Sequence, residues 1–151
     1  MSLESTIMGE MKQAMLTKNE GALRGIRAIK AAILLAKTEK GASENLTEET
    51  EIKILQKLAK QRKESIEIFQ KENRDDLVKK EQEELDVIEK FLPKQMGADE
   101  LRELLKGIIA QVGATTPQDM GKVMGAATKA LAGKADGKTV SEMVKQLLAG
   151  N

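Results

Sequence analysis

The segment "FLPKQMG" (residues 91–97) divides the chain into two parts of different composition. Long segments rich in charged residues precede it, and shorter apolar segments separated by glycines follow it. Proline has no backbone N–H and cannot continue a helix, so we expect a helix to end before Pro93. The sequence therefore predicts an N-terminal domain over residues 1–93 and a C-terminal domain over residues 94–151.

The composition predicts an all-α protein and excludes several kinds of chemistry. Of the 151 residues, 40% are hydrophobic and 32% are charged, and only two are proline. The sequence has no His and no Cys, which excludes an imidazole base, a thiol nucleophile and the usual zinc ligands. It also has no Trp or Tyr to stack on nucleic-acid bases. We expect no metal and no cofactor.

The chain shows no sign of a membrane or secretory segment. No apolar leader opens it, and no apolar run approaches membrane-spanning length. We therefore expect a cytoplasmic protein of bacterial type with no membrane partner. The net charge is +1, so a site for a polyanion has to be a local patch. The sequence does not set an oligomeric state.

Capping residues and apolar periodicity predict four long helices in the N-terminal domain. Asn19 is a suitable cap for the second helix, and Gly41 a suitable end for it. Thr47 begins the third helix, with two glutamates in its first turn. The first three predicted helices cover approximately residues 3–16, 20–40 and 47–71. A break at "NRDD" (residues 73–76) follows, and the fourth helix continues to Phe91.

Three shorter helices are predicted after the proline. The first covers about residues 98–112 and ends at Gly113. The second begins at a capping box, Thr116 to Asp119, with Pro117 at the first helical position. A second capping box, Thr139 to Glu142, predicts the start of the last helix. The predicted fold is all-α, with an N-terminal four-helix domain of long helices and a small C-terminal three-helix domain.

Several charged residues of the N-terminal domain fall on apolar helix faces when successive residues are placed 100° apart. Arg62 lies at the centre of such a face on the third helix, and Lys30 lies on one on the second, with Arg27 at its edge. Glu81 and Glu84 share the apolar face of the fourth helix. These residues are either half-buried structural ion pairs or the lining of a partly open groove for an anion. The sequence leaves both interpretations open.

The segment "TTPQDMGKVMG" (residues 115–125) contains a Gly-Lys pair that suggests a phosphate-binding loop. Such a loop requires Gly, four residues and then Gly-Lys-Ser/Thr after a strand. Thr116 stands where the first glycine is needed, Val123 follows the lysine, and no strand is predicted before it. The segment is therefore not predicted to hold a nucleotide.

The outer face of the same helix is predicted to be basic and unusually small. Lys122, Gly125 and Lys129 lie opposite the apolar stripe, with Gly121 at the border. Glycine inside an exposed helix costs about 1 kcal/mol relative to alanine. A close second helix or an approaching ligand would explain the pair, and the lysines favour the ligand. Two further lysines extend the patch into the turn that follows: Lys134 and Lys138.

Five segments, in this order, resemble the YqeY family over essentially the whole chain: "KQRKESIEIF", "NRDDL", "FLPKQM", "DMGKVMG" and "GKADGK". The C-terminal half of that family is similar to the tail domain of the B subunit of aspartyl/glutamyl-tRNA amidotransferase. The resemblance implies a tRNA-binding domain related by homology to carbon–nitrogen ligases with glutamine as amide donor. The sequence departs from the family at Gly97, where a serine cap is more usual. The tail motif falls on Asp119, Gly121, Lys122, Gly125, Gly133, Lys134, Asp136 and Gly137.

The function predicted on these grounds is that of a non-catalytic accessory protein that binds tRNA. Amide chemistry of its own is disfavoured, because the chain has no Cys and no Ser-Ser-Lys arrangement. The alternative is a protein-interaction module that docks on a translation or tRNA-modifying enzyme through Met124, Met143 or the glycine face. The predicted RNA-binding residues are Gly121, Lys122, Gly125, Lys129, Lys134 and Lys138.

Overall fold

A computed structural model describes residues 3–39 and 46–150. These residues form seven α-helices and no strand, which confirms the all-α prediction. The chain divides into two compact units, Met1–Pro93 and Lys94–Asn151. That the two units act as separate domains stays a prediction. The helices are α1 (Leu3–Leu16), α2 (Glu20–Thr38), α3 (Glu48–Lys71), α4 (Asp75–Phe91), α5 (Ala98–Val112), α6 (Met120–Leu131) and α7 (Gly137–Leu148).

Side-chain caps begin two helices of the first unit where the sequence predicts them. The Asn19 side-chain oxygen accepts a hydrogen bond from the Ala22 N–H at 3.0 Å. The Thr47 hydroxyl oxygen accepts one from the Thr50 N–H at 3.2 Å. Each cap satisfies one of the backbone donors that a helix leaves free at its start. The predicted end of α2 at Gly41 lies outside the described residues.

The core of the first unit is aliphatic, as a chain with two Phe and no other aromatic residue requires. Buried side chains from all four helices form one cluster, and α4 packs on both α2 and α3. The members of that cluster that are almost fully buried are Ile7, Ile26, Ile29, Leu55 and Ile88.

Two glycines let α2 approach α4 closely. A Cβ atom placed on Gly25 would lie 2.9 Å from the Val87 Cβ. One placed on Gly21 would lie 2.7 Å from the Glu83 Oε2. The Val87 Cβ is fixed to its helix and cannot move away, so position 25 requires the smallest residue. The Glu83 carboxylate is the end of a flexible side chain and can move, so the constraint at position 21 is weaker. No role was predicted for this pair from the sequence, although its spacing is the same as that of Gly121 and Gly125.

The second unit encloses a separate apolar core between α5, α6 and α7. Helix α5 ends at Gly113, which adopts the left-handed conformation (φ 69°) that the terminating glycine was predicted to supply. Each helix contributes at least one residue without exposed surface: Leu105, Val123, Ala127 and Val144.

Helix α7 begins earlier than the sequence predicts. Its cap is Asp136, whose carboxylate accepts hydrogen bonds from the Lys138 N–H and the Thr139 hydroxyl. The predicted start at Thr139 is therefore wrong, because a stronger capping residue stands three positions earlier. Lys138 consequently lies in the first turn of α7 and not in the preceding loop.

Residues that precede α5 hold the turn that follows α6. The Gln95 side-chain amide donates to the Gly133 carbonyl at 2.9 Å. The Met96 N–H donates to the Lys134 carbonyl at 2.8 Å. The turn that carries Lys134 is thereby fixed to the beginning of its own unit.

Candidate nucleic-acid interface

The start of α6 is held by the predicted capping box. Asp119 Oδ2 accepts hydrogen bonds from the N–H groups of Thr115 (3.0 Å) and Thr116 (3.1 Å). These bonds hold the pKa of the Asp119 carboxyl below its usual value, with smaller contributions from the Thr116 hydroxyl and from Lys122. Residues 117–119 form a single 3₁₀ turn before the α-helix. The box fixes the direction in which α6 leaves the turn.

Both glycines of α6 face open space. Gly121 and Gly125 are exposed, and a Cβ atom added to either would meet no atom within 4 Å. Among the described residues of the second unit, no other helix packs against this face, so helix packing within that unit does not explain these glycines. The buried side of α6 is formed by Val123, Ala127 and Leu131.

The lysines near these glycines are exposed and without carboxylate partners. Lys122, Lys129, Lys134 and Lys138 form no ion pair with any described residue. The two aspartates of the region accept hydrogen bonds at the starts of helices. We call the set Gly121, Lys122, Gly125, Lys129, Lys134 and Lys138 the lysine–glycine face.

The methionines expected at a protein interface are placed differently from one another. Met143 is buried in the core of the second unit, with 9% of its surface exposed. Its predicted role in docking is therefore wrong, because α7 turns this side chain toward α5 and α6. Met124 is half-buried against the same core.

In the first unit, the predicted groove residues separate into two groups. Arg62 of α3 lies between two carboxylates of α4: its Nε is 3.7 Å from Glu81 Oε2 and 3.8 Å from Glu84 Oε2. These distances exceed those of hydrogen bonds, and Arg62 Nε has no hydrogen-bond acceptor among the described residues. The three half-buried side chains form an ion-pair cluster between α3 and α4.

The surroundings in this cluster disfavour the ionised form of the Glu81 carboxyl. Burial raises the pKa of the Glu81 carboxyl, and the nearby charge of Glu84 raises it further. Arg62 lowers the same pKa, but by less than the other two causes raise it. The guanidinium of Arg62 is therefore shared as a counter-ion by two half-buried carboxylates, those of Glu81 and Glu84.

Arg27 and Lys30 do not belong to this cluster. Both are exposed, and neither forms an ion pair with a described residue. The expectation that they lie on the inward face of α2 is therefore wrong. The cation of α2 that meets α4 is Arg24, whose Nη2 is 2.9 Å from Glu83 Oε2. It stands three positions before Arg27, on the side of the helix that carries Gly21 and Gly25.

Two further properties concern the described residues as a whole. No helix among them is both long enough and apolar enough to cross a membrane. Within the same ranges, no three acidic side chains come together as a metal ion would require.

Comparison with known proteins gives relatives in fungi. The chain is 34% identical over 146 residues to "Altered inheritance of mitochondria protein 41, mitochondrial" of Pyrenophora tritici-repentis, covering 94% of this chain and 78% of that protein. It is 37% identical over 100 residues to the protein of the same name in Saccharomyces cerevisiae, covering 64% of this chain and 52% of that protein. The match thus spans about half of the yeast protein.

These relatives overturn one expectation from the sequence. A cytoplasmic location was predicted, but the names of the relatives place them in mitochondria, and the prediction is wrong on this evidence. The prediction depended on the lack of an apolar leader, whereas mitochondrial targeting segments are amphipathic and not apolar. The expected bacterial type likewise has no support among the fungal relatives.

A protein-family profile accounts for nearly the whole chain. The profile described as "Yqey-like protein" matches residues 4–148, which include all seven helices of the described residues except the first residue of α1. The match confirms the resemblance found in the sequence. The chain belongs to the YqeY family.

Proposed function

We propose that the protein is a non-catalytic accessory protein that binds tRNA through the lysine–glycine face. The observation that carries the proposal is the exposure of Gly121 and Gly125 on α6, with nothing near the positions of their missing Cβ atoms. Two glycines on an open helix face reduce its stability by about 1 kcal/mol each relative to alanine. A backbone that approaches the helix axis closely would use the space they leave.

The charges on this face fit a phosphate backbone. Four lysines without carboxylate partners lie on α6, on the turn after it and at the start of α7. Lysine contacts to phosphates supply most of the non-specific affinity for nucleic acids. RNA helices are recognised largely by shape and backbone, so the lack of Trp and Tyr is compatible with this function.

The proposal extends to the division of the chain. Residues 94–151 would form the tRNA-binding domain, similar to the tail domain of the amidotransferase B subunit. Residues 1–93 would form a four-helix domain whose Arg62, Glu81 and Glu84 serve as structural ion pairs. The distances from Arg62 to the two carboxylates support this assignment over an open anion groove.

The test is a fluorescence titration of the full chain with total tRNA at several salt concentrations. We expect binding that weakens steeply with salt, and Lys122→Ala should reduce the slope of log K against log[salt] by about 1. Lys106→Ala is the matched control, since Lys106 is an exposed lysine of the same unit that pairs with Glu103 at 3.5 Å. Absence of binding at low salt, or equal losses in both variants, would refute the proposal.

The alternative of a docking module on a translation or tRNA-modifying enzyme gives a different result. It predicts no direct affinity for tRNA, together with capture of a protein partner that Gly125→Lys abolishes. After the burial of Met143, only the glycine face and the half-buried Met124 are left to carry this alternative.

A further inference from the structure

The exposed apolar side chains of the first unit are concentrated on two helices. The described residues include six large apolar side chains that are exposed, and five of these lie on α1 and α2. Met8, Met15 and Leu34 have 66%, 60% and 62% of their surface exposed. Single exposed apolar residues are ordinary, but a group on adjacent helices indicates a binding surface.

The spacing of three of these five residues, Met8, Met15 and Leu34, places them on one seam between the two helices. Helices α1 and α2 are joined by the short segment 17–19 and run antiparallel, since Lys37 near the end of α2 donates to both carboxylate oxygens of Glu4 at 2.7 Å. From Glu4, positions four, seven and eleven residues later share a helix face and are all methionines. On α2, the residues three, seven and ten positions before Lys37 share a helix face in the same way, and they are Leu34, Lys30 and Arg27. The two rows therefore start at the Glu4–Lys37 ion pair and run side by side. The row on α1 is Met8, Met11 and Met15, and the row on α2 is Leu34, Lys30 and Arg27.

The charges of this seam that lack a partner among the described residues are of one sign. The sequence contains no acidic residue from Met11 to Lys18 or from Gly21 to Thr38. Glu4 is already bound to Lys37, whereas Arg27 and Lys30 have no carboxylate partner among the described residues. An occupant of the seam therefore has to supply both apolar side chains and carboxylates.

We infer that the α1–α2 seam is a docking groove for an acidic amphipathic helix of a partner protein. Such a helix would place its apolar stripe on the three methionines and Leu34, and its carboxylates on Arg27 and Lys30. Methionine adapts to varied apolar partners, and helix-in-groove recognition uses anchors at this spacing. The groove lies in the first unit and uses none of the residues of the lysine–glycine face.

The order of side chains favours a helix over an anionic membrane surface. Lys30 and Arg27 stand in the same row as Leu34 and beside the methionine row, so cations and apolar side chains share one face. A membrane would bury these cations beside lipid chains, whereas a membrane-binding helix separates its cationic and apolar faces. A peptide helix can bring one carboxylate to each cation. A second copy of this chain would oppose like charges in a symmetric contact.

The experiment uses the full chain with methionine labelled at the methyl carbon. The probe is an amidated peptide of about 18 residues, long enough to form a helix, with leucines at helical spacing and glutamates on the flanks. We expect the peptide to shift the methyl signals of Met8, Met11 and Met15 and to leave those of Met120 and Met143 unchanged. A peptide of the same composition in scrambled order should produce no shift.

Charge-reversed variants supply the control. Arg27→Glu with Lys30→Glu should weaken binding of the peptide by roughly tenfold or more. The matched pair Lys79→Glu with Lys80→Glu changes exposed lysines of α4 and should leave the affinity unchanged. All four residues are exposed, so both proteins should fold. Equal losses in the two variants, unmoved Met8 and Met15 signals, or shifts produced equally by vesicles rich in phosphatidylglycerol would overturn the inference.

Discussion

Two pairs of glycines with the same spacing have opposite surroundings in this protein. Gly21 and Gly25 of α2 lie against Glu83 and Val87 of α4, and at Gly25 the distance to the Val87 Cβ excludes a larger residue. Gly121 and Gly125 of α6 lie against nothing. The first pair is explained by packing within the chain, and for the second we propose a ligand that approaches the helix closely. The same Gly-x-x-x-Gly spacing therefore occurs in a packed and in an open setting, and only the fold distinguishes the two.

The largest effect is expected for Gly25→Ala. The new methyl group would meet the Val87 side chain, and overpacking of this kind costs roughly 1–3 kcal/mol of unfolding free energy. Denaturation of the full chain in urea, with hydrogen exchange of α2 and α6 amides to separate the two units, measures the loss. Adding Val87→Ala removes the clashing atoms, so the double variant should recover part of the lost stability. Unchanged stability of Gly25→Ala would show that the two helices move apart without cost.

The opposite sign is expected for Gly125→Ala. Alanine should stabilise α6 by up to about 1 kcal/mol, because it restricts the unfolded chain and meets no atom in the folded one. The same substitution should lower the affinity for tRNA severalfold. A gain in stability with undiminished affinity would show that this glycine does not serve RNA binding. A loss of stability would show that a second helix covers the face in solution.

A smaller effect on the same helix is expected for Asp119→Asn, and it should depend on pH. The pKa of Asp119 is lower in the folded chain than its ordinary value of about 3.9, because backbone N–H groups donate to its carboxylate. Its contribution to stability is therefore present above the ordinary pKa and is lost as the pH falls through the lowered one. Melting curves should show Asp119→Asn below the wild type at neutral pH and level with it in strong acid. A constant difference at all pH values would contradict the ionic part of the cap.

The smallest effect is expected at the close contact between α3 and α4. The pKa of Glu81 is raised, so the folded chain holds its proton more tightly than the unfolded chain does. The corresponding stability is present below the ordinary pKa of about 4.3 and is lost as the pH rises through the raised value. Glu81→Gln should remove this dependence and be at least as stable as the wild type at pH 7. A variant less stable than the wild type at pH 7 would show that the attraction of Arg62 outweighs burial.

The sequence predicts the limits of most helices because caps and terminators act locally. Asn19, Thr47 and Gly113 each perform the role expected of them, and Pro117 opens the turn before α6. The start of α7 is missed because Asp136 and Thr139 can both cap a helix. Only the course of the chain decides which residue meets the free N–H groups.

The placement of side chains between helices was less predictable. Arg24 and Arg27 are three positions apart in the sequence, so their side chains lie only about 60° apart around the axis of α2. The sequence does not indicate which of these two flanks of α2 contacts α4. The structure selects Arg24, while Arg27 and Lys30 are exposed. Arg62 was found because it lies at the centre of an apolar face, and Glu81 and Glu84 because they share one, but the same reasoning failed for Lys30.

The hydrogen bonds from Gln95 and Met96 to the turn after α6 determine where a fragment of the C-terminal unit should begin. A fragment cut at the start of α5 would keep all three helices but would leave the carbonyl groups of Gly133 and Lys134 without these donors. An expression fragment of the C-terminal unit should therefore begin at Lys94, and grafting the unit onto another scaffold requires the same four leading residues.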